Sequence, residues 1–196
     1  GKHNDFESFG MVEACRPFIE NGRLQLFCVD TIDAETWSCT WKNPRDRIFL
    51  HEKWMQYLFC EVLPFMKQAA PGQLSMTMGC SMGAFHAANL FFRFPDQFDA
   101  TICLSGVYDA ANILDGYMDD LVYLNSPYHC LQHMPEDHPY MALYRRSHMY
   151  FCVGQGAWED ILLESTRKLD TVCAQKGIHT RFEYWGYDVN HDWPWW

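Results

Sequence analysis

Short apolar runs alternate along this chain with longer stretches whose apolar residues recur every three or four positions, the two periodicities of strand and helix. Phe9 to Asn21 reads as a helix stopped by Gly22, with a strand after it over Leu24 to Asp30. Asn43 and Pro44 supply a cap and a first-turn proline, and from Arg45 to about Lys67 the residues Trp54, Leu58 and Val62 fall on one helical stripe. Pro71-Gly72 turns the chain into a predicted strand, Leu74 to Met78, which runs directly into Gly79-Cys80-Ser81-Met82-Gly83; a helix follows over Ala84 to Arg93. Ala100 to Leu104, Met149 to Val153 and His179 to Trp185 read as strands, and Glu159 to Lys176 as a helix closed by Gly177. Strands separated by helices predict an α/β fold, a mostly parallel sheet with helices on both faces. Only Val107 to Ser147 breaks the alternation. It is rich in Tyr, Pro, Asp and His, with short helical pieces at Met118 to Leu124 and Tyr128 to Met134, and reads as a cap-like loop insertion. No repeat or Pro/Gly/Ser linker divides the sequence, so residues 1–196 are expected to form a single domain.

Composition narrows the function classes. With 48% hydrophobic residues in 196, the chain can bury a core, which excludes disorder and fibrous repeats. Fifteen Lys and Arg against 25 Asp and Glu give a formal charge of −10, a field that disfavours nucleic acids and anionic membranes as partners. No stretch approaches the roughly 20 apolar residues of a membrane span. Nine cysteines form no C-x-x-C pair, and Cys28, Cys103 and Cys152 sit inside apolar runs, where a thiol acts as a small hydrophobe. Reduced cysteines of this kind predict a cytoplasmic setting.

The residues around Ser81 carry the clearest chemistry. A G-x-S-x-G stretch between a strand and a helix forces its serine into strained backbone geometry and lifts the hydroxyl above the sheet. The flanking Gly79 and Gly83 are expected to be required because larger side chains would collide with the neighbouring strand and helix. A serine hydroxyl is a weak nucleophile until an imidazole accepts its proton, and that imidazole needs a carboxylate to hold its tautomer. His191, in the loop beyond the last predicted strand, can reach back over the serine, whereas His179 is held in that strand. The acid is expected in the loop after Met149 to Val153, at Glu159 or alternatively Asp160, with Asp188 and Asp192 as outside candidates. The oxyanion hole would use the Met82 N–H and a donor from the first loop, Gly1 or Lys2. Trp37, Trp158 and Tyr108 are candidates to line a substrate pocket, together with Trp41, Tyr117 and Tyr123. The spacing of His129, His133 and His138 lacks the glutamate that a helical zinc motif needs, so no metal site is expected. Cys80 is expected to turn inward, and His86 to be a packed residue.

Gly-Cys-Ser-Met-Gly-Ala after an apolar strand, Gly-Val-Tyr-Asp after the next and His-Asp-Trp-Pro-Trp-Trp near the end together resemble the putative-esterase family of α/β-hydrolases, which includes esterase D and the mycolyltransferases. The resemblance implies an α/β-hydrolase fold and serine ester hydrolysis without a cofactor, on a small-molecule ester. Ser81 would be the nucleophile, His191 the base, and the acid would lie in the loop from Gly154 to Asp160. Acyl transfer with the same triad and an inactive binding module on the same fold are the alternatives. Gly1-Lys2-His3-Asn4-Asp5-Phe6-Glu7 resembles the family's oxyanion segment. Family members carry further N-terminal strands, one lying between the equivalents of Leu24 to Asp30 and Leu74 to Met78, so the chain is expected to be a fragment.

Overall fold

The structure, a computed structural model, describes residues 1–196. Four helices precede the sheet: α1 Asp5–Ser8, α2 Met11–Glu20, α3 Pro44–Tyr57 and α4 Leu63–Ala69. Strand β1 Met76–Cys80 leads through α5 Met82–Arg93 to β2 Ala100–Leu104. The next connection carries α6 Ala110–Ile113, α7 Asp120–Leu124, α8 Pro127–His133 and α9 Pro139–Arg146. It ends in β3 His148–Val153, and α10 Asp160–Gln175 then crosses to β4 Arg181–Tyr184. All four strands are parallel and lie side by side in chain order, with Cys80 opposite Leu104 and Leu104 opposite Cys152.

Successive strand side chains point to opposite faces. On one face Cys103, Met149 and Phe151 join Phe91 and Ala88 of α5, Leu131 of α8, Tyr144 of α9 and Leu169 of α10 in a core of 18 buried residues. Fully buried side chains such as Phe91, Phe151 and Leu169 each stabilise the fold by about 2 kcal/mol. On the other face Cys80, Leu104 and Cys152 bury against Met11 of α2, with Phe6, Trp193 and Trp196 packed around them. Helices therefore cover both faces, unequally.

Several elements differ from expectation for physical reasons. Leu24 to Asp30 forms no strand and joins no ladder, because a strand exists only against a partner and β1 pairs on one side alone. The helix expected from Arg45 to about Lys67 is interrupted by a π-turn over Leu58–Val62 before α4. Pro64 has no N–H to offer the carbonyl four residues back, so the wider turn absorbs the missing bond. The helix expected over Phe9 to Asn21 begins at Met11, after Gly10, whose φ of 90° places it in the left-handed region and separates it from the short α1. The insertion is only partly cap-like. Leu131, Met141 and Tyr144, from α8 and α9, sit in the main core, so Pro127 to Arg146 belongs to the helical layer over the sheet. The helical piece expected at Tyr128 to Met134 is α8, whereas α9 has no counterpart in the sequence pattern, its apolar residues being interleaved with Pro, Tyr and Arg.

Candidate active site

At the end of β1 the backbone turns abruptly. Ser81 has φ 55° and ψ −122°, a conformation that costs an L-residue roughly 1–3 kcal/mol and persists only where its surroundings fix it. The Ser81 N–H donates to Leu104 O at the end of β2 (2.8 Å), and the Ser81 carbonyl accepts from Ala84 N (2.9 Å), the first bond of α5. Gly79 permits the turn, since a Cβ there would stand 2.1 Å from Gly83 O. A Cβ on Gly83 would meet nothing within 4 Å, so the expectation that both glycines are sterically required holds for Gly79 alone. Cys80 is buried, and burial pushes its thiol up to about 12, which keeps it protonated and unreactive.

Two loops at the carboxyl ends of β3 and β4 are laced together above this turn. Gly154 and Gly156 let them touch: a Cβ on Gly154 would lie 2.3 Å from Val189 O, and one on Gly156 2.4 Å from Asn190 Oδ1. Gly156 N–H donates to Val189 O (2.9 Å), Ala157 N–H to Asn190 Oδ1 (2.8 Å), and His191 N–H back to Ala157 O (3.0 Å). His191 is thereby fixed with Nε2 2.7 Å from Ser81 Oγ and Nδ1 3.4 Å from Glu159 Oε2. Glu159, the residue before α10, is fully buried, whereas Asp160 and Asp188 are exposed and Asp192 caps the Trp193 N–H (2.8 Å). The structure thus brings Ser81, His191 and Glu159 together and leaves the other three carboxylates out.

Two side chains that the sequence reading missed complete the surroundings. Ser105, the residue after β2, donates from Oγ to Glu159 Oε1 (2.7 Å), and Trp196 Nε1 donates to Ser105 Oγ (3.2 Å). The available signal was position: Ser105 follows an apolar strand at the carboxyl edge, where α/β sheets place their sites. Met82, Ile113 and Tyr117 each pack against one small core that holds Phe85, Ala110 and Leu114, so the start of the insertion shares that core with the helix after the serine turn.

The oxyanion and pocket expectations need correction. The Lys2 N–H is already bound to Asp5 Oδ2 (2.7 Å) and is not a free donor, while the Gly1 amino group donates to Asp33 Oδ2 (3.0 Å) and to the Thr31 hydroxyl. The Met82 N–H opens α5, where no intrahelical acceptor reaches it. Trp37 is buried edge-on against Phe85 and donates to His51 Nδ1 (3.1 Å). Tyr108 is fully buried edge-on against Phe151. Both are core residues. Trp158 is 85% exposed, with φ 69°, directly before the buried Glu159. Of the three insertion histidines, His129 Nδ1 contacts Ser126 Oγ (2.8 Å), His133 Nδ1 the His129 carbonyl (3.0 Å), and His138 caps α9.

His86 is packed, as expected, and has a charged partner: its Nε2 lies 2.8 Å from Asp33 Oδ1. Burial pushes the Asp33 carboxyl up, but the hydrogen bond and charge of His86 and the Thr31 hydroxyl outweigh it and hold the group well below the usual carboxylate range. A depressed folded-state value contributes stability that is fully present above about pH 4 and is lost as the pH falls through that lower value. Asp33→Asn should therefore cost roughly 2 kcal/mol at pH 7 and progressively less below about pH 4, as read by urea unfolding at both ends of that range.

Four parallel strands, a strained serine between strand and helix, and two loops converging on it from the carboxyl edge define an α/β-hydrolase fold. Solved structures share it. A ferulic acid esterase superposes with a TM-score of 0.70 at 18% identity, over 100% of this chain and 76% of that one. The S-formylglutathione hydrolase FrmB of Staphylococcus aureus gives 0.68 at 16%, over 100% and 72%. FphF, a fluorophosphonate-binding serine hydrolase of the same organism, gives 0.64 at 14%, over 100% and 74%. No curated protein sequence matches the chain. The chain belongs to the Putative esterase family, whose model matches residues 8–196. No helix is long and apolar enough to cross a membrane.

Proposed function

We propose that this hydrolase is a serine esterase that cleaves small carboxylic esters through an acyl-enzyme on Ser81. The observation that carries the reading is the 2.7 Å contact between His191 Nε2 and Ser81 Oγ at a backbone turn strained to present that oxygen. Ser81 Oγ attacks the ester carbonyl carbon while His191 Nε2 takes the hydroxyl proton. Glu159, buried beside Nδ1, stabilises the imidazolium that forms. The tetrahedral oxyanion is met by the Met82 N–H at the start of α5, where the helix dipole adds to the attraction. As the intermediate collapses, the C–O bond to the alcohol breaks and His191 returns its proton to the leaving oxygen. Water, deprotonated by the same imidazole, then attacks the acyl carbonyl and releases the acid and free Ser81.

The structural neighbours, a ferulic acid esterase, an S-formylglutathione hydrolase and a fluorophosphonate-binding serine hydrolase, support this chemistry. The site belongs to one domain, with the exposed Trp158 directly before Glu159 as the candidate substrate contact on its rim. Nine free thiols fit a reducing cytoplasm, and the −10 charge favours neutral over polyanionic partners. Glu159→Gln keeps the shape of the acid and removes its charge. It should lower kcat for p-nitrophenyl acetate by about 10³ to 10⁴, whereas Asp160→Asn should stay within about twofold of the parent. The reverse ranking would move the acid to Asp160 and overturn the assignment.

A further inference from the structure

The buried carboxylate of Glu159 has one hydrogen-bond donor besides the imidazole side of the site, and that donor is itself held in an unusual way. Ser105 has φ 52° although it is not glycine, and is 1% exposed. Its N–H is pinned to Cys152 O on β3 (2.8 Å), so the residue bends out of the β2 line and its hydroxyl points into the space between the strands' ends and α10. A hydroxyl carries one proton and two acceptor lone pairs, and an indole N–H only donates. Trp196 Nε1 donates to Ser105 Oγ (3.2 Å), and Ser105 Oγ gives its single proton to Glu159 Oε1 (2.7 Å). With Oε1 engaged, Oε2 has no other hydrogen-bond partner and lies 3.4 Å from His191 Nδ1. The same Trp196 packs edge-on against the His191 ring, with centroids 4.8 Å apart at 82°.

We infer that Ser105 and Trp196 are positioning residues for the acid: Trp196 sets the direction of the Ser105 hydroxyl, and that hydroxyl fixes the rotation of the Glu159 carboxylate so that Oε2 faces His191. The proposal rests on the reading of Glu159 as the triad acid.

Ser105→Gly is the informative variant, because glycine adopts φ 52° without strain while the hydroxyl is removed. Relief of that strain offsets part of the cost of leaving Glu159 Oε1 and Trp196 Nε1 unpaired, so its melting temperature should lie within a few degrees of the parent's. Its kcat for p-nitrophenyl acetate should fall about tenfold to a hundredfold with KM within about twofold, the scale of one hydrogen bond to a charged group. The acid limb of its kcat profile should move up by roughly half to one pH unit. Without the hydroxyl the carboxylate accepts a proton more readily and attracts the imidazolium proton more strongly, and both displace the limb the same way. Trp196→Phe, which keeps a ring against His191 but lacks the N–H, should show a smaller loss and a shift of the same sign. Adding Ser105→Gly to Glu159→Gln should cost no more than about a further twofold, since the acid it positions is already gone. A stable Ser105→Gly with parental kcat and an unmoved limb, beside a crippled Glu159→Gln, would overturn the positioning role and leave the acid standing. A silent Glu159→Gln would remove the acid assignment and this inference with it.

Discussion

Ser81→Ala should lower kcat for p-nitrophenyl acetate by about 10⁶, to a residue of activity owed to binding and the oxyanion donor alone. The loss is that large because the hydroxyl is the atom that forms the covalent bond, and no neighbour can replace it: Cys80 is turned into the core with its thiol held protonated, and Ser105 is committed to Glu159. His191→Ala should fall to the same floor, and the double variant no further, since the two side chains act in one step. Two separate losses that multiplied in the double variant would mean that serine and histidine serve different reactions. Circular dichroism should show both variants folded, because Ser81 anchors its turn through backbone groups that alanine retains.

The second large effect is on folding. Gly79→Ala places a Cβ 2.1 Å from Gly83 O and 2.2 Å from Gly83 C, backbone against backbone, with no side chain able to swing away. Either β1 or the first turn of α5 must move, and both are pinned, one by the β2 ladder and the other by the Ser81 carbonyl. A loss of about 4 kcal/mol or more is expected, which in a chain of this size lowers Tm by roughly 8–16 °C. Gly83→Ala is the matched control. Its Cβ enters open space in a helix, where alanine is the better helix former by roughly 0.5–1 kcal/mol, so stability should hold or rise. Equal melting curves for the two variants would show that the turn is looser than the close approach of Gly79 and Gly83 implies.

How much of this was legible in the sequence follows from how local each feature is. The strand over Ala100 to Leu104, the serine turn and the helix after it are written in contiguous residues, so pattern alone locates them. His191 and Glu159 could be chosen because chain order and loop position restrict which histidine and carboxylate can reach a serine at the end of β1. The sequence put Glu159 first and kept Asp160 as the alternative; what it lacked was their burial, one fully buried and the other facing solvent, a difference of a single position at a helix start. What failed was non-local. Leu24 to Asp30 has a strand's composition, but pairing depends on a partner elsewhere in the chain. Tyr108 and Trp37 read as pocket residues because an aromatic in a loop looks the same whether it lines a cleft or closes a core. Ser105 was passed over as one serine among several, since its value lies in a contact with a residue 54 positions away.

The central claim is a covalent one, and it is tested most directly by intact-mass analysis of the folded chain after treatment with a fluorophosphonate, alongside Ser81→Ala. A single phosphonyl adduct that maps to Ser81 and is absent from the variant is the predicted result, because only an assembled base and oxyanion donor make that hydroxyl reactive. An adduct that persists in Ser81→Ala, or a folded parent chain that takes none, would contradict it.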